Sequence, residues 1–121
     1  MRLNDGLEAL GTDEDECGVF QGSPVESVVL PSTLKRIECY TFYTCKNLRS
    51  ISLPERLEFI GRGCFSLSGL ESVEFPASLR TISQGAFAKC RSLKVVKFNE
   101  GLEVLGTEEY LDDDKLYYGV F

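Results

Sequence analysis

The chain has 121 residues, 13 of them basic and 19 acidic, for a formal net charge of −6. Its length suits one domain, and its acidity argues against holding nucleic acid or an anionic membrane through the field of the whole protein. No histidine occurs anywhere, which removes Ser-His and Cys-His catalysis, His-ligated metals and His-based pH switches.

In chain order, Leu3 reads as the last strand residue of an earlier unit, and Met1 to Gly6 lack the apolar stretch of a secretory signal. Leu7-Glu-Ala-Leu10 opens a short apolar segment, which an insertion over Gly11 to Cys17 separates from Phe20. Val25 to Leu30 is a longer segment and ends at Pro31. The same order then returns. The short segment recurs at Leu34, Leu57, Leu79 and Leu102, in steps of 23, 22 and 23. The long segment recurs at Val25, Leu48, Leu70 and Leu93 with the same steps of 23, 22 and 23. Phenylalanines stand at Phe20, Phe42, Phe65 and Phe87.

The long segment ends in alternating inward and outward residues, as in a strand with one buried face. Pro31, Pro54 and Pro76 follow it. A proline has no N–H to give a ladder, so the chain turns there. The short segment predicts a second, shorter strand. Phe42-Tyr-Thr-Cys45 and Phe87-Ala-Lys-Cys90 predict a helical turn, whose i and i+3 positions share a face. No such unit buries its own apolar face. Stacked neighbours do, which predicts a solenoid of about four to five repeats with a parallel sheet on one face.

The pattern L-x-x-I-x-L-P, then L-x-x-I, then A-F-x-x-C closely resembles the BspA-like leucine-rich repeat, a Phe-x-x-Cys type repeat of about 23 residues. The resemblance covers about residues 3–105. It implies a leucine-rich-repeat solenoid and a non-catalytic protein-binding or adhesion module. It also implies a secreted or cell-surface location, with an intracellular scaffold or purely structural segment in the cytoplasm as the alternative. Thr33, Arg56, Ser78 and Gly101 stand where common leucine-rich repeats carry asparagine, so no asparagine ladder is expected.

Equivalent positions of stacked units become cross-strand neighbours. In the short segments the residue after the opening leucine runs Glu8, Lys35, Glu58, Arg80, Glu103; in the long segments it runs Glu26, Arg49, Glu71, Lys94. Both columns alternate in sign. Slipping by one repeat would set like charges together, so the columns are read as register ladders. The outward positions of the long segments are small and polar: Ser27, Ser50, Ser72 and Val95, then Val29, Ser52, Glu74 and Lys97. Tyr40, Tyr43 and Phe59 fall where other units carry small or polar residues, and are read as an exposed patch for another protein, unidentified.

Asp13 to Glu16, Glu108-Glu109 and Asp112 to Asp114 lack the spacing that wraps a cation and read as solvated loops. No cofactor or metal is expected. Cys45, Cys64 and Cys90 read as buried small residues. Cys17 and Cys39 both lie three residues before their phenylalanine on neighbouring units, the one pair whose register suits a disulfide. Asn4 to Glu14 matches Asn99 to Glu109 at an offset of 95, a super-repeat restarting near Asn99. Residues 1–121 read as a single domain and a fragment of a longer array, with uncapped ends open to end-to-end self-association. No membrane insertion is expected, since no apolar run reaches the roughly 18 residues of a spanning helix.

Overall fold

The computed structural model describes residues 3, 5–11, 18–97 and 104–105. Seven short strands lie within them: β1 (Ala9–Leu10), β2 (Arg36–Ile37), β3 (Phe59–Ile60), β4 (Ser72–Glu74), β5 (Thr81–Ile82), β6 (Val95–Lys97) and β7 (Val104–Leu105). All pairs are parallel. One sheet runs β1-β2-β3-β5-β7, and a second joins β4 to β6. The register advances one repeat per strand: Leu10 faces Ile37, Ile37 faces Ile60, Ile60 faces Ile82, and Ile82 faces Leu105.

A proline turn sets up β2, β3 and β5. Leu34, Leu57 and Leu79 donate their amides to the carbonyls of Pro31, Pro54 and Pro76, each at 3.1 Å. That closure delivers the leucine to the core and leaves three residues to reach the inward isoleucine. Leu34, Leu57, Leu79, Ile37, Ile60 and Ile82 are all 0% exposed. Each such burial contributes about 1.5–3 kcal/mol. The phenylalanines stack as a spine. Phe20–Phe42, Phe42–Phe65 and Phe65–Phe87 have ring centroids 5.4, 5.3 and 5.1 Å apart and planes within 12°.

Two expectations about local structure are corrected. The turn around each phenylalanine is not helical, and no helix occurs among the described residues. Tyr40, Phe42 and Thr44 donate their amides to Arg62, Cys64 and Ser66 of the next unit, at 2.9, 2.8 and 2.9 Å. Gly63, Phe65 and Leu67 repeat this toward Gln84, Ala86 and Ala88. Intervening amides close four-residue turns, as from Tyr43 to Tyr40 and from Ser66 to Gly63. A helix would direct all of these amides inside the segment. Left-handed backbone also stops it, in two columns flanking the phenylalanine. Tyr40, Gly63 and Gly85 form one, with φ of 57°, 60° and 65°; Gly22, Thr44, Leu67 and Lys89 form the other, with φ of 70°, 58°, 58° and 56°.

The larger sheet is built on the short segments, not the long ones. β2, β3 and β5 are each clamped on both sides, by the proline turn before and the phenylalanine turn after, and both clamps repeat in register. The long segments pair as strands only at β4 and β6 among the described residues. Elsewhere they touch through single bonds, such as Glu71 N to Arg49 O at 2.8 Å. The asparagine-free column bonds in another way. The hydroxyls of Thr33 and Ser78 donate to the carbonyls of Leu7 and Leu57 in the preceding unit, at 2.8 and 2.6 Å.

Candidate functional site

The charge columns lie side by side. The amides of Lys35, Glu58 and Arg80 donate to the carbonyls of Glu8, Lys35 and Glu58, at 2.7, 2.8 and 3.0 Å. The Lys35 ammonium lies 3.9 Å from the Glu8 carboxylate, and the Arg49 guanidinium 3.5 Å from that of Glu71. Arg80 instead directs Nη1 to the carbonyls of Ala77 and Leu79, at 2.7 and 3.3 Å. Glu26, Arg49, Glu71 and Lys94 are exposed. Glu103 lies outside the described residues.

Tyr40, Tyr43 and Phe59 are half-buried rather than fully exposed. The two tyrosines meet edge to face, with centroids 5.4 Å apart and planes at 86°. Tyr40 stands in a left-handed column that its neighbours fill with Gly63 and Gly85. Its ring lies over Gly63, in space that a side chain there would need. Phe59 takes a different partner. The Arg36 guanidinium sits 4.0 Å from its ring centroid, a cation–π contact. Arg36 is held in turn by Glu38, with Nε 2.6 Å from Oε1 and Nη2 3.4 Å from Oε2. The Glu38 side chain is 9% exposed and that of Arg36 47%. The three aromatics therefore form two groups, joined by the chain from Arg36 to Tyr40. The Arg36–Glu38 pair was absent from the reading of the sequence. The spacing of two along a strand, which puts both side chains on one face, was the signal for it.

The outward residues of the long segments line a shallow groove of about 690 Å³, among them Ser50, Ser52, Ser72, Glu74, Val95 and Lys97. Glu74 faces Lys97 across the β4–β6 pair. No aromatic anchor stands among these outward positions.

Cys45 and Cys64 are buried and Cys90 is half-buried, so the expected burial of Cys90 is only partial. Cys45 and Cys90 also do more than fill space. Each donates its thiol to a phenylalanine carbonyl of the preceding unit, Phe20 and Phe65, at 3.0 Å. Burial pushes the Cys45 and Cys90 thiols up from their ordinary range and that of Cys64 well above it. Cys39 carries a free, half-buried thiol, and Cys17, its expected partner, lies outside the described residues. Among the described residues no group of three Cys, Asp or Glu side chains is placed to hold a metal ion, and no helix is long and apolar enough to cross a membrane.

A family model described as a BspA type leucine rich repeat region matches residues 16–117 in six copies, against the four to five units read from the spacing. A leucine-rich repeat protein from Bacteroides ovatus is similar in structure, with 25% sequence identity and a TM-score of 0.63. The match covers 88% of this chain and 33% of that one, so the chain spans about a third of that protein's length. No curated protein matches the chain.

Proposed function

The chain belongs to the BspA-type leucine-rich repeat family, and from that premise we propose that it is a non-catalytic protein-binding module with an adhesive role at a cell surface. The contact surface is the pair of aromatic groups, Tyr40 with Tyr43 and Arg36 with Phe59. The observation that carries this reading is the backbone of Tyr40. A left-handed non-glycine residue costs roughly 1–2 kcal/mol, and the neighbouring units avoid that cost with glycine. Thr44, Leu67 and Lys89 take the same conformation in the other column, so what sets Tyr40 apart is the aromatic ring it holds over Gly63. Tyr40 is half-buried, with its ring packed over Gly63 and against Tyr43, which suits an interface anchor.

The test replaces each aromatic residue by its counterpart in the next unit: Tyr40→Gly after Gly63, Tyr43→Ser after Ser66, and Phe59→Thr after Thr81. Such exchanges suit the local backbone. Purified matrix proteins are immobilised and binding of wild type and triple variant is compared. Binding of at least one, weakened about tenfold or more in the variant, supports the surface. Equal binding by a folded variant overturns it. A cytoplasmic scaffold is the second reading, favoured by the free thiols of Cys39, Cys45, Cys64 and Cys90. A signal peptide or wall anchor encoded with the chain would decide for the first.

A further inference from the structure

Among the described residues, β1 and β7 are the two edges of the larger sheet. They are copies of one sequence. Asn4-Asp-Gly-Leu-Glu-Ala-Leu-Gly-Thr-Asp-Glu14 and Asn99-Glu-Gly-Leu-Glu-Val-Leu-Gly-Thr-Glu-Glu109 agree at eight of eleven positions. Two of the differences exchange Asp for Glu, and the third sets Ala9 against Val104. In register terms, Ala9 and Leu10 are equivalent to Val104 and Leu105, which lie on Thr81 and Ile82 of β5.

We propose that β1 of a second copy takes the place of β7 on β5, joining copies head to tail through one continuous parallel sheet. The backbone pattern continues across such a junction. Arg36, Phe59 and Thr81 donate their amides to Glu8, Lys35 and Glu58 carbonyls, at 3.1, 3.2 and 3.2 Å. Glu38, Gly61 and Ser83 donate to Leu10, Ile37 and Ile60, at 2.8, 2.8 and 2.9 Å. The next members of these two series are the amides of Ala9 and Gly11 in a second copy, directed at the carbonyls of Arg80 and Ile82. Charge agrees with the register. Glu8 of the incoming copy falls beside Arg80 and extends the alternation. On a larger scale, residues 1–31 carry seven acidic side chains and one basic, whereas residues 75–98 carry five basic and none acidic. The acidic end therefore meets a basic one only when residues 99–121, with seven acidic side chains and one basic, leave the junction together with β7. Exchange of an identical element between copies is a low-cost route to association.

A disulfide trap tests this on the 121-residue chain. Within one copy, positions 9 and 81 are three strand spacings apart, roughly 14 Å, beyond the ~7 Å that a disulfide spans. Oxidised Ala9→Cys/Thr81→Cys protein should give covalent multimers whose peptides join position 9 to 81, and neither single variant should give that bond. The tethered β7 competes at an effective concentration of roughly millimolar. Sedimentation of the wild type should therefore show at least a doubling of average mass as protein approaches that concentration. Thr81→Cys/Val104→Cys, which pins β7 to β5, should hold the mass at that of the monomer. A wild type that stays monomeric throughout, or multimers whose bonds never join 9 to 81, would overturn the proposal.

Discussion

The ring of Tyr40 covers Gly63 so closely that a Cβ on residue 63 would overlap its Cε1 and Cδ1 atoms. Gly63 also holds φ at 60°. Gly63→Ala therefore meets two penalties, about 1–2 kcal/mol for the left-handed backbone and about 1–3 kcal/mol for displacing the ring. Removing the ring removes only the second. Urea unfolding should show Gly63→Ala costing about 2–5 kcal/mol in the wild type and only the backbone share, about 1–2 kcal/mol, beside Tyr40→Gly. An equal loss in both backgrounds would show that the ring is not the obstacle.

Glu58 lies between Lys35 and Arg80, bonded to both through the backbone. Glu58→Lys would place three cations in succession on neighbouring strands. The side chains are exposed, so the loss is modest, about 0.5–1 kcal/mol at low ionic strength. Screening should shrink it by more than half near 1 M salt, where charges interact over only about 3 Å. Melting temperatures of variant and wild type in low and high salt provide the measurement. A loss that ignores salt would remove the ladder as its cause.

The steps of 23, 22 and 23 foretold the register because stacking converts equal spacing into adjacency. Pro31, Pro54 and Pro76 foretold the turns, and Phe20, Phe42, Phe65 and Phe87 the spine. The phenylalanine turns were misread for a physical reason. Phe42 and Cys45 have helical spacing, yet hydrogen bonds to the next unit outweigh those a helix would make within the segment. Gly22, Gly63 and Gly85 stand in the two left-handed columns and were the available signal; Tyr40, Thr44, Leu67 and Lys89 concealed it. The aromatic surface was legible as residues but not as pairs. Only the fold sets Arg36 over Phe59 and Tyr43 against Tyr40.

Burial raises the thiols of Cys45, Cys64 and Cys90 above the ordinary value of 9.0, that of Cys64 most. The thiolate is the reactive form. Under native conditions near pH 8, Cys39 should be labelled first among these four, Cys90 and Cys45 more slowly, and Cys64 only on unfolding. The sign for stability follows from the same direction. A thiol raised in the folded state favours the protonated protein, so this contribution is complete below 9.0 and is lost as pH rises through the folded values. Replacing Cys64 by Ala, the residue at the equivalent position 86, should flatten the alkaline fall in stability. Fast native labelling of Cys64 would contradict its burial.

Phe65 is, like Phe42, an interior ring of the spine, 0% exposed and stacked between Phe42 and Phe87 at 5.3 and 5.1 Å. Phe20 is half-buried and stacks on one described partner, Phe42, at 5.4 Å. Truncating Phe65 opens a cavity that its neighbours cannot close, because the amides of Phe42 and Phe65 fix the turns on both sides. Phe65→Ala should cost about 3–5 kcal/mol. Phe20→Ala should cost less, about 1–2 kcal/mol, since its ring already meets solvent. Phe65→Leu refills much of the volume and should recover more than half of the loss. Denaturant unfolding of the three variants orders them. Equal losses at Phe20 and Phe65 would mean that the stack is not the core that the ring geometry describes.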